Sequence, residues 1–358
     1  MSTARIAALQ VLLPAVDVDA LLVTDLTNVS YLSGFTGSNA ALVVPAVGEA
    51  VLVTDARYTE RAAVEAPGLE IVLERAAGAA AARTAAARGA RRLGFESGHV
   101  SVDEHSALVA AAGSAGLRRA PGLVERLRAV KDDAEIAALR AACALADAAL
   151  SDLVAAGGLA AGRTERQIAR DLEDRMRDRG APGPSFESII AAGPHSAIPH
   201  HSPTDTPLQR GDLVIVDFGA LVDGYHSDAT RTFVVGPPAD WQREIHAVVA
   251  EGQRLGRAAL RPGAISAEVD GAARTSIAGA GYGAAFSHGL GHGVGLEIHE
   301  DPFFTATGTA ALAAGMVVTV EPGVYLSGRG GVRIEDSLVV GDGEAESLTL
   351  LPRELVEV

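Results

Sequence analysis

The sequence predicts an α+β chain of two domains: a smaller α/β domain over residues 1–128 and a larger domain over residues 129–358. Three observations lead there. The chain has 358 residues, and at roughly 100–200 residues per domain two are expected. In the first third, short apolar strand signals alternate with helical ones, the pattern of a small α/β domain. Beyond Lys131 the texture changes to long helical stretches followed by strand-rich blocks that Gly and Pro punctuate.

Each element follows in order. Ile6, Leu9 and Leu13 fall at helical spacing. Gln10 and Pro14 interrupt the apolar run and Asp17 and Asp19 follow it, so a short amphipathic helix fits better than a signal peptide. It leads into a strand over Ala20–Thr24. Leu21–Val23, Ala40–Val44, Ala50–Val53, Ile71–Leu73 and Leu93–Phe95 read as buried strands. Residues 76–92, almost only Ala, Arg, Gly and Thr, read as an exposed helix. Pro121–Lys131 connects to a long helix, with Asp132 or Asp133 as its N-cap and Glu135 in its first turn. Helices over 134–157 and 164–180 precede the strands, and a third over 239–261 separates strand-rich blocks at 185–236 and 284–340.

Composition narrows the chemistry. A net charge of −15 repels phosphate backbones and anionic lipid, so neither nucleic acid nor a membrane is the expected partner. No apolar run reaches the ~18 residues of a membrane span, and the chain is expected to be cytoplasmic. The single cysteine, Cys143, excludes internal disulfides and thiolate-rich metal sites and reads as a core residue. Of 30 basic residues only Lys131 is a lysine, which argues against chemistry needing a catalytic lysine elsewhere.

The stretch Val214–Phe233 is a β-hairpin turning at Asp223-Gly224. With those two residues as the loop, 217 pairs with 230 and 219 with 228, so Asp217 and Asp228 share a face as diagonal neighbours. Gly219 leaves room opposite Asp228. Asp217 follows the apolar run Leu213–Val216, where a bare carboxylate is costly without a partner. The tripeptide Asp217-Phe-Gly matches the kinase magnesium motif, but no other kinase motif is present.

Histidines gather after residue 195. In His288-Gly-Leu-Gly-His292-Gly-Val-Gly-Leu-Glu-Ile-His299 the glycines oppose a helix and suggest backbone passing close to a ligand. Two further acids, Glu321 and Glu335, stand at or near the ends of apolar strands, and alternation places Arg333 and Glu335 on one face with Val332 and Ile334 on the other. With Asp217, Asp228 and His292 they make four carboxylates and one imidazole. Two carboxylates at ~4 Å repel by roughly 4 kcal/mol at an effective dielectric of 20. Four therefore need compensating cations, and two divalent ions supply the charge. An oxygen-rich set with one imidazole favours Mn²⁺ or a similar ion over thiolate-loving metals.

In these contexts the order Asp217, Asp228, His292, Glu321, Glu335 resembles the pita-bread dinuclear metallopeptidases. Asn28-Val-Ser-Tyr31-Leu-Ser-Gly-Phe35 and Thr54-Asp-Ala-Arg57-Tyr58 resemble the creatinase-type N-terminal domain that accompanies the proline-peptidase branch, the Xaa-Pro aminopeptidases and Xaa-Pro dipeptidases (prolidases). Pro199-His200-His201, Gly224-Tyr-His-Ser-Asp228 and Glu321-Pro-Gly-Val-Tyr325 are similar to motifs of that branch. The resemblance implies metal ligation by Asp217, Asp228, His292, Glu321 and Glu335, with Asp228 and Glu335 bridging two divalent ions, Mn²⁺ first and Co²⁺ or Zn²⁺ also compatible. It implies attack by a metal-bridging hydroxide on the carbonyl before proline, with Glu321 handling the proton. His200 and His299 would contact substrate, while His288, Arg333 and Tyr325 would bind substrate or orient the groups that do. His195, His201, His226 and His246 are left as structural. The expected partner is a proline-containing di- or oligopeptide and the expected assembly a homodimer. The alternatives are a metal-free creatinase-like amidinohydrolase and a non-catalytic peptide-binding protein on the same scaffold.

Overall fold

A computed structural model describes residues 2–358. The chain forms two compact units, the first ending at Arg128 and the second running from Ala129 to Val358.

The first unit is built on one mixed six-stranded sheet. Ala20–Val23 lies near its centre, antiparallel to Ala40–Pro45 on one side and parallel to Arg92–Phe95 on the other. The five strands read from the sequence are all present, but Ile71–Leu73, expected to be buried, lies at the sheet edge and is half-buried to exposed. A sixth, Gly116–Arg119, extends the sheet from beside Arg92–Phe95; its Gly-Leu-Arg-Arg sequence carries no apolar run to announce it. The helix over the alanine-rich stretch spans Ala77–Ala87, but it is not exposed. Ala77, Ala80, Ala81, Ala82 and Ala85 are buried in the core that includes Leu22, Val43 and Val53. Methyl side chains let the helix approach the sheet closely, so a face that looks weakly apolar in sequence still packs.

The second unit divides its helices between two cores. Asp133–Ala155 and Glu165–Asp178 pack with the sheet containing Leu213–Phe218 and Ala229–Val234. Asp240–Ala259 and Ser266–Gly279 pack with the sheet containing Gly291–Gly293 and Val317–Val320. Asp132 caps the first helix in a reciprocal capping box with Glu135. The helix Ser266–Gly279 was not read from the sequence, because Gly271, Thr275 and Gly279 dilute its apolar stripe. Cys143 is buried in the core, and burial pushes its thiol far up. Among the described residues no helix is long and apolar enough to cross a membrane. The α+β class and the order of elements agree with the sequence reading.

Candidate metal centre and substrate cleft

The hairpin forms in the expected register. Thr230 pairs with Asp217, Tyr225 with Val222, and Asp223-Gly224 form the loop with φ of 51° and 84°, both in the left-handed region that such a turn needs. Asp217 and Asp228 consequently line the same cleft. Gly219 has a different reason from the one expected. A Cβ there would stand 1.8 Å from the Ser227 carbonyl oxygen, so the position is closed by backbone and leaves no room at all. The glycines around His292 act likewise. Added Cβ atoms at Gly289, Gly291 and Gly293 would meet the backbone oxygens of Phe304, Thr319 and Asp301 at 2.5, 2.2 and 2.3 Å. They admit the backbone of neighbouring strands beside the strand Gly291–Gly293, and Gly289 and Gly291 also line the cleft.

That strand aims His292 into a cleft of about 480 Å³ lined also by Asp217, Asp228, Glu321, Arg333 and Glu335. Ligand atoms of Asp228, His292 and Glu335 lie within 4.8 Å of one another, and all three residues are buried. His292 Nε2 is 3.4 Å from Glu321 Oε1 and 3.6 Å from Asp228 Oδ2. Its Nδ1 lies 2.9 Å from the Gly293 carbonyl oxygen, which can only accept, so Nδ1 carries the proton. Burial lowers the ring to about 4, leaving it neutral with a bare Nε2 lone pair facing carboxylate oxygens.

The acids are equally uncomfortable without a cation. Burial, then repulsion from Glu335, Asp217 and Glu321, raises Asp228 well above the usual carboxylate range. Burial, then Glu321 and Asp217, does the same to Glu335. Burial lifts Glu321 to about 8 against the opposing pull of Arg333. Asp217 Oδ1 is buried with no hydrogen-bond partner. Converging lone pairs, mutually repelling acids and an orphaned oxygen are the donor set of hard or borderline divalent cations, so these residues fit such ions.

The surrounding groups orient that set. Arg333 donates to Asp217 Oδ2 at 2.6 Å, to Thr230 Oγ1 at 3.1 Å, to Tyr325 Oη at 2.9 Å and to the Pro199 carbonyl at 3.3 Å. Tyr325 Oη lies 2.9 Å from His288 Nε2, and His288 Nδ1 lies 2.7 Å from the Gly289 carbonyl. The proton on Nδ1 therefore makes Nε2 the acceptor, and a directed chain runs Arg333, Tyr325, His288, Gly289. Val332 and Ile334 are in the core beneath, as strand alternation requires. Thr230, which the sequence reading passed over, donates Oγ1 to Glu335 Oε2 at 2.7 Å; its pairing with Asp217 was the available signal.

His200 and His299 line the cleft and both are exposed. The His299 ring stands edge-on to His292 at 4.4 Å, and burial followed by repulsion from His200 lowers its proton affinity. Phe186, Ile189, Ile298 and Phe303 supply apolar wall. The structure thus brings together all five expected ligands and all five expected supporting residues. Glu165, not singled out in the sequence, accepts hydrogen bonds from His195 and His201.

Comparison with known proteins agrees with this geometry. Residues 137–342 match the model of metallopeptidase family M24, and residues 5–130 match the creatinase/prolidase N-terminal domain. The chain is 41% identical over 343 residues to the uncharacterized peptidase YqhT of Bacillus subtilis, covering 95% of this chain and 96% of that one. The structure superposes on an Xaa-Pro dipeptidase from Bacillus anthracis with a TM-score of 0.96 and 37% identity, covering 100% of both chains. It superposes on an X-Pro aminopeptidase from Thermotoga maritima with a TM-score of 0.88 and 34% identity, covering 96% of this chain and 99% of that one. The chain therefore belongs to metallopeptidase family M24, as a pita-bread enzyme with a creatinase-type N-terminal domain.

Proposed function

We propose that the enzyme hydrolyses the bond between a residue and a following proline, in Xaa-Pro dipeptides or at the N-terminus of longer peptides, with two divalent ions per chain. The observation that carries this reading is the convergence of four carboxylates and one neutral imidazole on a single cleft. Asp217 and Asp228 would hold one ion, His292 and Glu321 the other, and Asp228 and Glu335 would be shared. Oxygen-rich donors with one imidazole suit Mn²⁺ best. When bound, such ions supply Lewis acidity and make water a nucleophile near neutral pH.

The chain's own groups do the rest. Glu321, whose Oε1 stands 3.4 Å from His292 Nε2 in the same cleft, would accept the proton of the attacking water and return it to the proline nitrogen. His200 and His299, facing the same space, would hydrogen-bond the scissile carbonyl oxygen as it gains charge. The Arg333–Tyr325–His288 chain would hold Asp217 and the cleft wall in place. Phe186, Ile189, Ile298 and Phe303 would take the apolar parts of the substrate. The proline nitrogen lacks an N–H, so a cleft that grips carbonyl and ring handles a bond that peptidases reading the amide N–H do not. The reading includes a domain division after residue 128, a homodimer and a cytoplasmic location.

The test strips the protein with chelator, restores Mn²⁺ and follows proline release from an Xaa-Pro dipeptide beside an Xaa-Pro-Xaa tripeptide. Metal-dependent cleavage of the dipeptide alone makes it a dipeptidase, and cleavage of the tripeptide makes it an aminopeptidase. Cleavage of neither, with metal bound, refutes the proline assignment.

A further inference from the structure

His200 stands on an exposed segment, yet the reaction proposed above needs its imidazole in a defined place. The segment leaves the strand Ile189–Ala192, passes through a short 3₁₀ turn at Gly193–Ala197 and continues to Thr204. Both of its ends converge on one side chain. Glu165, the first residue of the helix Glu165–Asp178, has a fully buried carboxylate. Oε1 accepts from the Ala192 backbone N–H and from His195 Nδ1, each at 2.9 Å. Oε2 accepts from His201 Nε2 at 2.9 Å, from the Thr204 backbone N–H at 3.0 Å and from Thr204 Oγ1 at 2.7 Å. The His195 and His201 rings stack at 4.3 Å with an interplanar angle of 30°. On the other side, Arg333 donates to the Pro199 carbonyl at 3.3 Å.

Glu165, His195 and His201 could also be read as a third metal site, since their ligand atoms lie within 4.8 Å of one another. Hydrogen-bond accounting favours a different role. A carboxylate offers about four lone-pair directions, and five donors already occupy this one. Burial would raise its pKa, but the bonds from His201, Ala192, Thr204 and His195 outweigh burial and hold it below the usual value. An ionised carboxylate only accepts, so His195 carries its proton on Nδ1 and His201 on Nε2, and neither of those nitrogens has a lone pair for a cation.

We propose that Glu165 is a positioning residue for His200: its buried carboxylate ties the two ends of the 192–204 segment together and so fixes the imidazole of His200 in the cleft. The inference rests on the reading of His200 as a substrate contact. A segment held this way gives the His200 ring less freedom to lose on reaching the transition state, so the effect falls on kcat more than on KM.

A double-mutant cycle between Glu165 and His200 tests it, with proline release from the Mn²⁺-loaded full chain as the readout. Glu165→Leu is expected to lower kcat about tenfold or more with little change in KM. In a His200→Ala background the same substitution is expected to cost less than about twofold. Equal losses in the two backgrounds would overturn the proposal while leaving the His200 assignment intact. A fully active His200→Ala enzyme would overturn both. Should Glu165→Leu fail to fold, His201 carries the same test: His201→Leu removes a donor to Glu165 and His201→Gln keeps one, so His201→Gln retains more kcat. Equal kcat for the two would count against the clamp. Metal content per chain stays the same in every variant, and loss of an ion with Glu165→Leu would mean a metal site instead.

Discussion

Replacing Lys131 with methionine would take away the ammonium that faces the buried Glu300 carboxyl group. Lys131 Nζ lies 3.1 Å from Glu300 Oε2, and the two side chains are 1% and 5% exposed. At that distance and an effective dielectric of about 20 the attraction is about 5 kcal/mol before desolvation. Removing one partner of such a pair costs roughly 3–5 kcal/mol, because the remaining charge stays buried. For a cooperative unit of this size each kcal/mol moves Tm by about 2–4 °C, which gives a fall of roughly 6–20 °C by calorimetry. Adding Glu300→Gln removes the stranded charge while keeping an acceptor for the Glu297 N–H, 3.1 Å away, so the double variant should recover most of the loss. Glu300 directly follows His299, so Lys131→Met should also lower kcat/KM. A fall in Tm below about 2 °C, or a double variant no more stable than the single one, would refute the reasoning.

Three other outcomes are expected. Glu335→Gln should reduce proline release by at least about 10³-fold. At pH 8 it should also make the metal-free protein more stable by on the order of 1–4 kcal/mol, since burial, then repulsion from Glu321 and Asp217, disfavours the ionised carboxylate; a lower Tm than metal-free wild type would contradict this. Arg333→Lys should cost about 10–100-fold in metal affinity or kcat/KM, measured by titration and turnover, because an ammonium cannot serve Asp217, Thr230, Tyr325 and Pro199 together. In the first unit, burial raises Glu96 to about 7. A raised acid favours the folded state below its unfolded pKa and loses that contribution as pH rises through 7, here roughly 3 kcal/mol. Wild type should therefore lose more Tm between pH 5 and pH 8 than Glu96→Gln, and equal losses would exclude Glu96 as the cause.

What the sequence revealed and what it hid follow from the range of the interactions. The hairpin was legible because Asp223-Gly224 is a turn signal and register then follows by counting. The candidate ligand acids were legible because Asp217 interrupts an apolar strand where an unpaired charge is costly, Asp228 follows from the hairpin register, and Glu321 and Glu335 stand at or near strand ends. Glu165 was hidden because locally it is an ordinary first-turn acid beside the N-cap Thr164, and its partners lie 27–39 residues away. Lys131 was noticed as a rarity, but its partner is 169 residues distant. The glycines of the His292 strand were rightly read as places of close approach. That the approaching atoms are carbonyls of neighbouring strands depends on sheet pairing that one segment does not encode. Residues 77–87 looked exposed because alanine contributes little apolar contrast, although it packs well against a sheet.

The most direct test of the central claim is proline release by chelator-stripped enzyme titrated with Mn²⁺ and read against metal bound per chain. Two divalent ions held by five residues predict negligible turnover without metal and a plateau at two ions bound per chain. Full turnover in the stripped protein, or a plateau at fewer than two ions, would contradict it.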